Sequence, residues 1–274
     1  ETFTSERKFV FALQIGCVDG ETEYLTPNGW KKINQYSEGD LVCQFNEKDN
    51  TAEFAKPISY IKEPCNKMYY LHNEYGLSQK LSDDHNVLYV DRNDVYHKIK
   101  MIDLYKKHNR LKKGFEGRFP CLYNIKTNTE IPLTDDELRI MIMFHADGAL
   151  RYDMKMHGYA TFSKKRKIER CEMLLKKANL KYRHKKYSNG TERFTFEPPI
   201  LTKNFDNKWY SASEHQLKII AEECLLWDGD QKNRYTSRYK SDCDFIQFVF
   251  NSIGFRTHIS HDNRDNKSTY SVTK

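Results

Sequence analysis

Two hydrophobic rhythms divide the chain. From residue 17 to about residue 100 the apolar positions fall in short runs separated by turn residues. Strand candidates are residues 23–25, 40–46, 67–71, 79–81 and 87–91, with Thr26-Pro27-Asn28-Gly29 and Glu38-Gly39-Asp40 as turns. This spacing predicts a compact all-β domain. Residues 9–16 also read as an apolar strand. From about residue 133 the rhythm turns helical. Thr134-Asp135-Asp136-Glu137 and Ser213-Glu214-His215-Gln216 are capping boxes, each opening an apolar helix, over 138–144 and 217–226. The first helix runs into Ala146-Asp147-Gly148, the second into Trp227-Asp228-Gly229.

The parallel continues past each Asp-Gly. At a constant offset of 73, Lys167 falls on Lys240 and Tyr182 on Phe255. Each copy reads helix, hairpin, helix, strand, an α+β unit. The same order of cap, Asp-Gly, Lys and apolar helix twice in one chain marks an internal repeat, about 133–200 and 209–274.

At 274 residues there is room for two domains, each with its own core. The seven cysteines are irregularly spaced and form no CxxC pair, which argues against a structural zinc site and for a reducing cytosol. No apolar run is long enough to span a membrane. The net charge of +7 is unevenly placed. Residues 1–132 hold 19 Lys+Arg and 19 Asp+Glu, whereas residues 133–274 hold 26 and 19. A basic excess confined to the second half points to a polyanionic partner there, or to a solvated lysine-rich face.

Cys17-Val18-Asp19-Gly20-Glu21-Thr22 resembles the N-terminal splicing motif of inteins. Leu81-Ser82-Asp83-Asp84-His85-Asn86-Val87-Leu88 resembles their second motif, with Ser82 where Thr is usual. Phe144-His145-Ala146-Asp147-Gly148 and Leu226-Trp227-Asp228-Gly229 resemble the paired motifs of LAGLIDADG homing endonucleases. The order and spacing of the four motifs, more than any one of them, carry the likeness. It implies an all-β, horseshoe-like Hint splicing domain followed by an α+β LAGLIDADG endonuclease domain with two pseudo-symmetric repeats. The boundaries expected are 1–16 for the end of the N-extein, 17–110 for the N-terminal part of the Hint domain, 111–132 for a connector and 133–274 for the endonuclease.

The resemblance also implies roles. Splicing would start with an N–S acyl shift at the Gly16–Cys17 bond, with Cys17 as thiolate nucleophile and His85 as general acid to the leaving nitrogen. Ser82, with the main chain at Asp83 and Asp84, would position or polarise the scissile carbonyl, and no cofactor would be needed. For the endonuclease, Asp147 and Asp228 would bind Mg²⁺, Lys167 and Lys240 would stabilise developing charge, and Asp230 and Gln231 would place water. Arg151, just before the segment 152–162, and Lys155, Arg193, Arg234, Arg238 and Arg264, within 152–162, 185–196, 234–239 and 257–269, are the candidates for contacts with a double-stranded DNA target, the intein-less host gene. Bulky residues at 140–144 stand where such helices often carry small ones. No terminal His-Asn precedes Lys274, so a C-terminal intein segment, in cis or in trans, is expected to complete the reaction. The setting expected is the cytoplasm of a bacterium or phage-infected cell, with no membrane partner. Alternatives are a splicing element whose second half only binds DNA, and a free-standing endonuclease with a degenerate β domain. An ordinary buried cysteine, a loop histidine and glycine helix caps would account for the same residues without chemistry.

Overall fold

The computed structural model describes residues 16–73, 77–110, 115–127, 129–153, 155–230, 232–263 and 268–274. Residues 1–15, Leu111, at which the expected connector begins, Gln231 and Arg264 lie outside them.

The first half is built of small antiparallel ladders, as the short apolar runs require. β1 (Glu23–Thr26) pairs with β2 (Gly29–Lys32) across the Pro27-Asn28 turn, and β3 (Val42–Asn46) with β4 (Thr51–Ala55). β5 (Met68–His72) pairs with β6 (Ser78–Ser82), and β7 (Asn86–Val90) with β8 (Tyr96–Lys100). Two features depart from the expected all-β domain and bare connector. Residues 101–110 form a helix, α1 (Met101–Arg110), which buries Met101 and Leu104. The three-residue spacing of those two places them on one helical face. Within the expected connector, β9 (Asn124–Ile125) joins β4 in parallel.

In the second half both capping boxes form. Thr134 and Glu137 close the start of α2 (Asp135–Asp147), and Ser213 and Gln216 that of α4 (Glu214–Asp228). The bulky residues of α2 are accommodated: Leu138 and residues 140–144 are each 2% exposed or less. The first repeat continues as β10 (Gly148–Leu150), β11 (Gly158–Phe162), α3 (Lys165–Lys177), β12 (Tyr182–Lys186) and β13 (Glu192–Phe196), whose sheet order is β10-β11-β13-β12. The second continues as β14 (Arg234–Ser237), α5 (Lys240–Ser252), β15 (His258–Asp262) and β16 (Thr269–Thr273), ordered β14-β16-β15. Among the described residues a ladder after the first helix forms in the first copy only; in the second, Gly229 bridges Tyr235 and the Asp230 N–H donates to the Arg234 carbonyl. Each copy ends in a hairpin rather than a lone strand.

The two halves share one core. Leu25, Phe45, Ala52, Tyr123 and Ile125 belong to the same buried cluster as Phe144, Leu217, Phe245 and Phe248. The chain between the halves is pinned as well as packed. Buried Gln216 accepts a hydrogen bond from the Ile131 N–H and donates one to the Ile131 carbonyl, both at 2.8 Å. Asn124 forms a bridge with Ile253. A smaller cluster of Tyr69, Leu81, Val87, Met101 and Leu104 lies in the first half.

Glycine follows aspartate at the end of α2 and of α4 for reasons of space. Gly148 (φ −82°, ψ 168°) and Gly229 (φ −82°, ψ 151°) are extended and do not adopt the left-handed helix cap. A Cβ at Gly148 would lie 2.2 Å from the Phe144 ring and 2.5 Å from the Phe144 carbonyl oxygen; at Gly229 it would lie 2.2 Å from the Leu225 carbonyl oxygen. Gly148→Ala is expected to destabilise the fold by about 1–3 kcal/mol, the range for overpacking a close contact, read as a lower urea midpoint.

Candidate functional site

Two groups of predicted residues come together in separate places. The first surrounds the peptide bond between Gly16 and Cys17. Strand β6 delivers Ser82 to it, and the turn after β6 delivers His85. Val18 bridges to Leu81, and the Ser82 N–H donates to the Cys17 carbonyl at 2.9 Å. The Met101 and Ile102 N–H groups at the start of α1 donate to the His85 and Asp83 carbonyls, tying the turn down. The Ser82 hydroxyl accepts from the Cys17 N–H at 2.9 Å and donates to Asp84 Oδ1 at 2.5 Å. It therefore holds the amide nitrogen of this bond, not the carbonyl expected from the sequence, because β6 runs alongside the chain and presents its hydroxyl to the N–H. Gly16 has φ +142°, and a Cβ there would sit 2.3 Å from His85 Cα, so only glycine fits.

The His85 ring lies beside the carbonyls of Gly16 and Cys17. Burial lowers its pKa, and those two carbonyls and the Asp84 carboxylate pull against that. The Cys17 thiol is raised, first by burial, then by Asp84, Cys65 and Glu63. Cys17 is thus held as the thiol, not as the ready thiolate that a nucleophilic cysteine suggests, and reaction there requires a proton acceptor.

The second group sits where α2 and α4 end. Packing of these helices brings Asp147 and Asp228 close enough for one charge to act on the other. The Asp228 carboxyl is pushed up to about 6, by burial first and the Asp147 charge second, against Lys167 and Lys203. Lys167, at the start of α3 and 12% exposed, donates to Asp147 Oδ2 at 2.5 Å. Lys240, its counterpart in the repeat, is instead drawn to Asp244 Oδ1 at 3.2 Å and Glu23 Oε2 at 3.7 Å. The cations with the largest effect on Asp228 are Lys167 and Lys203. Lys203 lies between the repeats, in a stretch without periodicity or motif, and nothing in the sequence singles it out.

Among the described residues no three histidine, cysteine or acidic side chains gather as a metal cage. Two converging carboxylates, one of them reluctant to ionise beside the other, are nevertheless a donor set suited to a hard divalent cation. Such an ion takes one or two carboxylates and fills its remaining positions with water and phosphate oxygens.

Above this pair, two residues earlier on α2, the His145 ring stacks on Phe205 at 4.3 Å and meets Trp209 edge-on at 4.8 Å. Its pKa falls to about 3 through burial, with the Lys203 charge adding to the effect. Five residues before Asp228 on α4, Glu223 is fully buried. It accepts from Arg139 Nη1 (3.1 Å), Arg170 Nε and Nη2 (2.7 and 2.5 Å) and Trp227 Nε1 (2.6 Å). The sequence reading missed this knot, since a lone Glu in a helix carries no signal of what it meets 53 and 84 residues away.

The predicted DNA-contacting residues are distributed over the two sheets. Arg193 lies on β13, its guanidinium over the Tyr159 ring and its Nε donating to Thr161. Arg151, just past β10, pairs with Asp153, and Arg234, on β14, with Asp230. The Asp230 carboxylate is thereby engaged by a neighbouring cation. Lys155 is exposed in the loop between β10 and β11, and Arg238 is exposed just past β14.

No protein-family model matches the chain, and no curated protein matches it in sequence. Solved structures of homing endonucleases match about half of it. They are structures of I-DmoI: in complex with DNA and Mn, the match has a TM-score of 0.38 and 10% identity, covering 51% of this chain and 88% of that one. Its mesophilic variants match at 0.38 and 13%, covering 51% and 87%. The complex with DNA and Ca matches at 0.38 and 13%, covering 51% and 82%. No described helix is long and apolar enough to cross a membrane.

Proposed function

We propose that the chain is the N-terminal portion of an intein that starts protein splicing at Gly16–Cys17 and carries a homing endonuclease domain for divalent-metal-dependent cleavage of double-stranded DNA. The observation that carries the nuclease reading is the convergence of Asp147 and Asp228 at the foot of the two capped helices. Bound there by those two carboxylates, Mg²⁺ would supply Lewis-acid polarisation of the phosphate oxygens. Lys167, fixed by Asp147, and Lys203 contribute positive charge where a phosphodiester becomes more negative. Asp147 thereby orients Lys167.

At the splice junction, the Cys17 Sγ attacks the Gly16 carbonyl carbon. A C–S bond forms, the Gly16–Cys17 C–N bond breaks, and the nitrogen leaves as the Cys17 amine. The thiol and the imidazole are both neutral at pH 7, because burial raises one pKa and lowers the other. His85 therefore takes the thiol proton as the sulfur attacks and returns it to the departing nitrogen. Ser82, backed by Asp84, holds that nitrogen in line. A C-terminal intein segment, in cis or in trans, would complete ligation, and the setting is the cytoplasm of a bacterium or phage-infected cell.

Incubation of the chain with dithiothreitol tests the junction: a 1–16 peptide is released, and Cys17→Ala abolishes the release. Ser82→Ala should slow it about tenfold, the equivalent of one hydrogen bond of about 1.4 kcal/mol. Release that survives Cys17→Ala would overturn the splicing half. For the nuclease half, a duplex spanning the intein-less host-gene site is cut with Mg²⁺ and left intact with EDTA; cutting in EDTA would overturn the metal assignment. A second reading, a DNA-binding domain that no longer cuts, is favoured by the engagement of Lys240 with Glu23 and Asp244. It predicts binding of that duplex without cleavage.

A further inference from the structure

The two sheets follow one plan in the repeat, yet their outer faces differ in charge. In the first sheet, alternation buries Gly158, Ala160 and Phe162 of β11 and Phe194 and Phe196 of β13. The opposite face carries two cross-strand rows set by the register: Tyr159–Thr195–Arg183 and Thr161–Arg193–Lys185. Three cations and no acid stand on these rows. Aromatic rings are set among them: Arg193 lies 4.8 Å from the Tyr159 ring centre and 5.4 Å from that of Tyr187, and Lys185 lies 5.0 Å from that of Tyr187.

In the second sheet Tyr235, Val272 and Ile259 are buried in one row. The face opposite carries the rows Arg234–Thr273–His258 and Thr236–Ser271–Ser260, and the pair Thr269–Asp262. Arg234 is paired with Asp230. Across these rows the formal charges of Arg234 and Asp262 cancel, and hydroxyl groups predominate.

Cations that neutralise phosphates release counterions, so their contribution to binding falls as salt rises, whereas hydroxyls contact bases or phosphates without that salt dependence. We infer that the sheets divide the work on a DNA duplex. The first repeat grips the backbone through Arg183, Lys185 and Arg193 and supplies most of the electrostatic affinity. The second adds neutral contacts through Thr236, Ser260 and Ser271. This rests on the DNA-directed reading above and goes beyond it, because a pseudo-symmetric pair of repeats by itself implies equal shares.

The test uses the full chain and a fluorescent 30-base-pair duplex of mixed sequence, with EDTA present to prevent cutting. Binding is followed by anisotropy from 50 to 300 mM KCl. Each phosphate contact contributes about 0.9 to the slope of log affinity against log salt. The triple change Arg183→Gln, Lys185→Gln, Arg193→Gln should lower that slope by about 2 to 3 and weaken binding at least about tenfold. Thr236→Ala with Ser260→Ala and Ser271→Ala should leave the slope where it was. Circular dichroism melts establish that both variants are folded; should Arg193→Gln disturb the sheet, Arg183→Gln with Lys185→Gln alone should lower the slope by about 2. A slope untouched by the first set, or lowered equally by the second, overturns the division of labour while the DNA reading stands. A parent protein with no salt-dependent affinity for the duplex overturns both.

Discussion

Asp228→Asn should abolish DNA cutting and at the same time make the protein more stable. On the function proposed above, Asp228 holds a divalent ion; removing that charge costs several kcal/mol of transition-state stabilisation, so cleavage in Mg²⁺ should fall at least about 10³-fold. Asp147→Asn should do the same. The stability effect has the opposite sign. The folded-state pKa of Asp228, about 6, lies above its ordinary value of 3.8. The folded chain therefore binds more protons than the unfolded one between those values, and stability falls as pH rises from about 4 to 7. Two pKa units correspond to about 3 kcal/mol at most, reduced to about 1–2 by the partial exposure of the carboxylate. An amide does not ionise, so in EDTA the variant should melt higher than the parent at pH 7 and no higher at pH 4. Equal melting at pH 7 would show that Asp228 carries no such strain.

Glu223→Ala should be the most damaging single change in the core. It removes the acceptor shared by Arg139, Arg170 and Trp227 and leaves two guanidinium groups at the junction of α2, α3 and α4 with no counter-charge at their centre. Breaking a buried ion pair from one side typically costs about 3–5 kcal/mol. Glu223→Gln keeps one carbonyl acceptor and should lose roughly half as much. Urea midpoints followed by Trp fluorescence would check both. A loss below about 1 kcal/mol for the alanine variant would mean that water replaces the carboxylate.

Much of this architecture is legible in local sequence. Capping boxes are written within four residues, so Thr134 and Ser213 announce α2 and α4. Burial of one side of a strand imposes alternation, so the ladders of the first half can be read from short runs. Cys17, Ser82 and His85 are singled out by motif, and the fold brings them around one peptide bond. Illegible features are those set by distant partners. β9 is two residues long and is a strand only because β4 lies beside it. Lys240 mirrors Lys167 in the repeat, yet Glu23 from the other half competes for it. Met101 and Leu104 continue an apolar pattern begun in β8, which conceals a change of period from two to nearly four. The protonated state of Cys17 follows from burial, which no spacing of residues encodes.

The shared core has a consequence for how such a chain changes over generations. Phe45, Ile125 and Leu25 belong to one buried cluster with the helical half, so deleting that half would open the cluster and leave a greasy scar on the remainder. A lineage whose DNA target had vanished would still be penalised for discarding the helices. Their persistence would then record a debt of solubility rather than continued cutting, and shortened descendants should show polar replacements at those three positions.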